Sequence, residues 1–140
     1  MSELLQKQFL FARDLGGLLA HANVLGFKVT VGEVSRSDEQ AEINALGFSG
    51  RKQLAQLIER QFPLLAKKIA NNRGNGIRNS VHCQRLAVDL QLFTPDGKWI
   101  QEVYAYQLLG EWWEAQGPDH HWGGRWGDTP HYSIEHEGAK

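Results

Sequence analysis

Apolar residues recur at helical spacing near the start of the chain. Leu4, Leu5, Phe11, Leu15, Leu18, Leu19 and Ala22 gather on one face of a helix over Glu3–Val24, and Gly26 is placed to stop it. From Phe27 the period changes to two. Phe27, Val29 and Val31 alternate with Lys28, Thr30 and Gly32, which predicts a strand over residues 27–34. Ser37 then heads a capping box completed by Gln40, so a second helix is expected to run to Leu46 and end at Gly47. Residues 51–70 read as helical again, broken near Pro63, where the missing N–H interrupts the ladder. The Asn- and Gly-rich run 71–79 predicts a mobile loop.

The clearest strand is expected over residues 85–93. Leu86, Val88, Leu90 and Leu92 point to one side, and Arg85, Ala87, Asp89, Gln91 and Phe93 to the other. Thr94-Pro95-Asp96-Gly97 is a turn, with a short return strand expected over 98–101. A helix over 104–116 ends at Gly117. A Gly/Trp-rich loop spans 122–130, and a last short strand covers 131–135. Repeats and linkers are absent, so residues 1–140 are expected to form one domain.

Composition narrows the classes of function. The 140 residues are 41% hydrophobic with a formal net charge of −1, enough for one core and without the basic excess of a nucleic-acid-binding protein. The balance does not favour anionic membranes either. Cys83 is the single cysteine, which rules out an internal disulfide and a multi-thiolate metal cluster and suits a reducing compartment. The N-terminal segment carries charge in every turn, unlike a signal peptide. No stretch approaches the ~20 apolar residues of a membrane-spanning helix, so no membrane insertion is expected.

Chemistry gathers on the polar face of the 85–93 strand. Asp89 lies there beside the small Ala87, which leaves room above the carboxylate. His82 sits seven residues earlier, where the chain enters the strand. In the last strand Tyr132 and Ile134 alternate with His131 and Ser133. If Tyr132 and Ile134 face the core, His131 shares a side with Asp89. Two imidazoles and a carboxylate with a fourth position open are the donor set of catalytic zinc. Asp128, three residues before His131, can then serve as general base. Spacing alone leaves a second reading, with His82 and His131 at loop edges and Asp89 a solvated strand residue.

The segment Ser80-Val81-His82-Cys83-Gln84-Arg85-Leu86-Ala87-Val88-Asp89 resembles the S-x-H-x-x-G-x-A-x-D signature of the zinc D-alanyl-D-alanine carboxypeptidase and L-alanyl-D-glutamate endopeptidase family. Asp128-Thr129-Pro130-His131 resembles its second motif, and Trp122-Gly123-Gly124 the W-G-G run that precedes it. Val29-Thr30-Val31-Gly32 with Arg36-Ser37-Asp38-Glu39-Gln40 resembles the upstream strand and R-S/T-x-x-Q segment. The likeness spans about residues 29–135 and is nearest to phage endolysins. Three positions depart from the pattern. Arg85 replaces the signature glycine, at a position expected to be simple strand. Asp128 stands where glutamate is common. Arg36 follows Gly32 at a spacing shifted by two.

The resemblance implies an α+β fold in which a small antiparallel sheet, flanked by helices, carries the zinc site on its face. It implies one zinc per chain held by His82, Asp89 and His131, with Asp128 as proton acceptor. Arg36 would pair with a substrate carboxylate, and Gln40 and Ser80 would support the site. The implied protein is a monomeric, phage-type endolysin acting on peptidoglycan stem peptides. It would be made in the bacterial cytoplasm without a signal peptide and released to the periplasmic wall. Two rivals are a D-Ala-D-Ala carboxypeptidase or dipeptidase and a non-catalytic zinc-binding module. The second has no use for an acid at Asp128.

Other residues carry plainer expectations. His120 and His121 read as solvated loop histidines, Cys83 as an inert thiol, and Glu111 and Glu114 as the polar face of a helix. Trp122 and Trp126 either line the cleft or pack the loop. Arg51, Lys52, Lys67, Lys68 and Arg73 read as solvated helix faces.

Overall fold

The computed structural model describes residues 1–59, 61–71 and 80–140. The loop expected over 71–79, with Arg73, lies outside the described residues apart from Asn71. Ser2 caps the first helix, α1 (Glu3–Val24), by accepting the Leu5 N–H. Phe11, Leu18 and Ala22 form its buried stripe. Strand β1 (Lys28–Val31) is shorter than the alternation suggested. Ser37 caps α2 (Asp38–Ala45) through the Gln40 N–H. The chain turns directly into α3 (Gly47–Ile58), with Gly47 at φ 67°, a conformation that favours glycine. Pro63 opens α4 (Pro63–Ala70) rather than breaking a helix, since the first turn needs no donor from it.

Strand β2 (Ala87–Phe93) is followed by α5 (Val103–Glu114), β3 (His120–Trp122), a 3₁₀ turn over Gly123–Trp126 and β4 (His131–Ile134). The four strands form an antiparallel sheet in the order β1-β2-β4-β3. The architecture is α+β, as expected. No helix among the described residues is long and apolar enough to cross a membrane. The return strand expected over 98–101 is only an isolated bridge between Trp99 and Phe93.

Leu86, Val88, Leu90 and Leu92 from the β2 segment are fully buried with Tyr132 and Ile134 from β4, against Leu109 and Trp113 of α5 and Leu18 of α1. This is the core the alternation predicted. On the opposite face His131 and Ser133 are buried too, and Asp89 is partly buried. A separate small cluster of Ala55, Ala66 and Ile69 joins α3 to α4. Arg51 is buried instead of solvated, and its Nη1 donates to the Asn44 carbonyl at 3.2 Å. Lys52, Lys67 and Lys68 are exposed as expected.

Two polar pairs fix helices to the sheet and to the turn beside it. His120 Nε2 lies 3.0 Å from Asp14 Oδ2, with both side chains buried, and the Trp113 ring packs edge-on to His120 at 4.7 Å. His120 is therefore a buried strand residue and not a solvated loop histidine. Glu114 on α5 holds Arg125 at 2.7 Å, which braces the 3₁₀ turn.

Candidate metal centre

A turn places one of the three expected donors, and strand pairing places the other two. His82 sits in a tight turn. The Arg85 N–H donates to the His82 carbonyl at 3.2 Å, and the Leu86 N–H reaches back to the Val81 carbonyl at 2.9 Å. This pair of bonds is a Schellman closure, which puts Arg85 at the left-handed position usually held by glycine. Arg85 has φ 57°. It is not in the strand, which begins at Ala87. The turn thus sets a backbone requirement that suits glycine and that this chain meets with a strained arginine. Ser80 Oγ accepts the His82 N–H at 3.3 Å within the same turn.

Asp89 and His131 are direct cross-strand partners in the β2–β4 ladder. Antiparallel pairing puts such side chains on one face. The loop before His131 is set by close packing. A Cβ on Gly123 would lie 2.3 Å from the Asp128 carbonyl and 2.7 Å from His131 Cβ. Only glycine lets the backbone approach so closely. The Trp122 indole donates to the Thr129 carbonyl at 2.8 Å from a buried position, so this tryptophan packs the loop. Trp126 takes the other role: it lines the cavity, with its ring 6.0 Å from that of His131.

The donors converge. His82 Nε2 lies 3.2 Å from His131 Nδ1, and Asp89 Oδ1 lies 3.5 Å from the first and 3.4 Å from the second. Asp89 Oδ1 is buried and finds no hydrogen-bond partner among the described residues. A buried carboxylate oxygen facing two imidazole nitrogens is satisfied by a cation held between them. His82, Asp89 and His131 can therefore hold a metal ion. Their outer nitrogens, His82 Nδ1 and His131 Nε2, are also buried without partners among the described residues. Burial would push the Asp89 carboxyl up, but its contacts with His131 and His82 outweigh this and keep it ionised, below the usual carboxylate range.

A cavity of about 630 Å³ opens over the three donors and is walled by Arg36, Ser80, Trp126 and Asp128, among others. Asp128 Oδ2 lies 3.9 Å from His131 Nδ1, outside the donor triangle. Burial pushes its carboxyl above the ordinary value; the neighbouring Asp89 charge adds to this, while His131, His82 and Arg36 oppose it. Gln40 is set back from this wall. Its amide donates to Asn44 Oδ1 at 2.8 Å, and Asn44 is the residue that faces the cavity. Sequence reading missed Asn44 and Glu33, because neither belongs to a motif that names its partner. His120 lies elsewhere, on Asp14, and His121 pairs with Glu135 at 2.9 Å.

Compared with protein-family models and with curated proteins, the chain matches none.

Proposed function

We propose that this chain is a zinc peptidase that cuts peptidoglycan stem peptides between L-Ala and D-Glu, in the manner of a phage-type endolysin. The observation that carries this reading is the triangle of His82 Nε2, His131 Nδ1 and Asp89 Oδ1, with sides of 3.2–3.5 Å, at the floor of a cavity that also holds Asp128. Ligand bonds of about 2.0–2.1 Å at tetrahedral angles set donors roughly 3.3–3.4 Å apart, so the triangle suits zinc. Two imidazoles and one carboxylate are also a catalytic rather than a structural donor set. The likeness of the 80–89 and 128–131 segments to the carboxypeptidase and endopeptidase family supports the substrate class.

When bound, zinc supplies a Lewis acid that polarises a carbonyl and acidifies water. The chain's own groups do the rest. Asp128 takes the proton of the attacking water and returns it to the leaving amine, a task suited to a carboxylate beside the donors but outside their triangle. Trp126 gives the cavity an apolar wall against the peptide. Arg36 offers a cation to a substrate carboxylate.

Metal analysis coupled to activity tests the reading. The purified protein is expected to carry about one zinc per chain. His82→Ala and His131→Ala should lose metal and peptidoglycan hydrolysis together. Full hydrolysis by metal-free protein would refute it.

A further inference from the structure

The segment 32–36 runs along the rim of the metal centre and is registered on two of its donors. The Gly32 N–H donates to the Asp89 carbonyl at 2.7 Å, and the Asp89 N–H donates to the Glu33 carbonyl at 3.1 Å. The Arg36 N–H donates to the His82 carbonyl at 3.2 Å. On this brace the Glu33 carboxylate accepts from Arg36 Nε at 2.9 Å and also from Nη2. The Arg36 side chain is only 12% exposed, and it lines the cavity with His82, Asp89 and Asp128.

A guanidinium carries five N–H donors in one plane. Glu33 uses the side-on pair, Nε–H and one Nη2–H. Two donors on Nη1 and one on Nη2 remain, and the end-on edge they form is itself a fork that fits a carboxylate. Holding a long arginine side chain in one rotamer costs conformational entropy. Glu33 meets that cost before any ligand arrives, so less is lost on binding. Both groups stay ionised. The hydrogen bond from Arg36 keeps the Glu33 carboxyl below its ordinary range despite partial burial.

We propose that Glu33 is a positioning residue that fixes Arg36 so that its end-on fork reads a carboxylate of the peptide in the metal cavity. This rests on the cavity being a peptide site. A merely neutralising Glu33 would act in the opposite sense, because its removal would strengthen anion binding.

The test is binding, not turnover. Titration calorimetry on zinc-loaded protein compares γ-D-glutamyl-L-lysinamide, whose one free carboxylate is the α-carboxylate of D-Glu, with the same peptide amidated there. Wild type is expected to favour the carboxylate by about ten- to a hundredfold, the range of a charge-assisted bond. Glu33→Gln keeps one acceptor oxygen and should cut the preference to about threefold or less. Glu33→Asp keeps both oxygens and should retain more of it. Arg36→Ala should abolish it, and Glu33→Gln should change nothing further in that background. Zinc content and melting temperature should stay near wild type throughout. An unchanged or enhanced preference in Glu33→Gln, additive effects in the double variant, or no preference in wild type would each overturn the proposal. Failure of the peptidase reading would show separately, as absence of stem cleavage.

Discussion

In the proposed peptidase, Asp128 separates binding of the metal from chemistry. Its Oδ2 lies 3.9 Å from His131 Nδ1 and outside the three-donor group, so removing its charge should leave the ion in place. Asp128→Asn is expected to retain zinc and to lose about a hundred- to ten-thousandfold in rate, the usual contribution of a general base. Metal analysis beside a turbidity assay checks both halves, and near-normal turnover would place the base elsewhere. Arg85 makes a second prediction at the same scale. At φ 57° it occupies a glycine position in the turn that carries His82. Arg85→Gly should relieve about 1 kcal/mol of backbone strain, which raises the melting temperature by roughly 3 °C for a chain of this size. Zinc content should not change. A drop in melting temperature would show that the arginine side chain contributes more than its backbone costs.

Among the elements, the centre depends on pairing more than on any single strand. Asp89 and His131 face each other because β2 and β4 run antiparallel in a register that also pairs Val88 with Tyr132. The shared face was legible, since the alternation of Leu86, Val88, Leu90 and Leu92 and of Tyr132 and Ile134 says which side each strand turns inward, but the register itself was not. The Ser37 cap was legible too, because it acts on the Gln40 N–H three residues on, although the Gln40 side chain bonds Asn44 and does not close the box. Strand β3 was not. His120, His121 and Trp122 are too few to show a period, and their pairing partners are 10 to 14 residues away. The burial of Arg51 and the tie between Glu33 and Arg36 were hidden for a related reason. A charged side chain reads as solvated until the backbone shows what it reaches. The turn at Arg85 was misread as strand because Leu86 carries the apolar alternation of β2 back into it.

For the whole molecule, the Asp14–His120 pair couples α1 to the outer strand and makes stability depend on pH. Burial lowers the His120 pKa, against the opposing pull of Asp14, so the folded state favours neutral imidazole. The Asp14 carboxyl is lowered as well, because the hydrogen bonds from Arg13 and His120 outweigh its burial. Both shifts have the same sign. A group whose folded pKa is depressed contributes stability that is present above its unfolded pKa and lost as pH falls. The His120 contribution should therefore begin to fade below about pH 6.5, and that of Asp14 below about pH 4. Denaturant melts from pH 8 to pH 5 should show declining stability, and His120→Gln should flatten the upper part of that decline. An equal slope in the variant would assign the effect to other groups.

The bond that is cut tests the central claim most directly. Stem peptides offer L-Ala–D-Glu near the glycan and D-Ala–D-Ala at the far end, and only the first cut frees the stem from the sugar chain. Purified peptidoglycan treated with zinc-loaded protein, read by mass spectrometry, should yield fragments with new amino termini on D-Glu. Metal-stripped protein should yield none. Release of free D-alanine instead, or no product from fully zinc-loaded protein, would contradict an L-alanyl-D-glutamate endopeptidase.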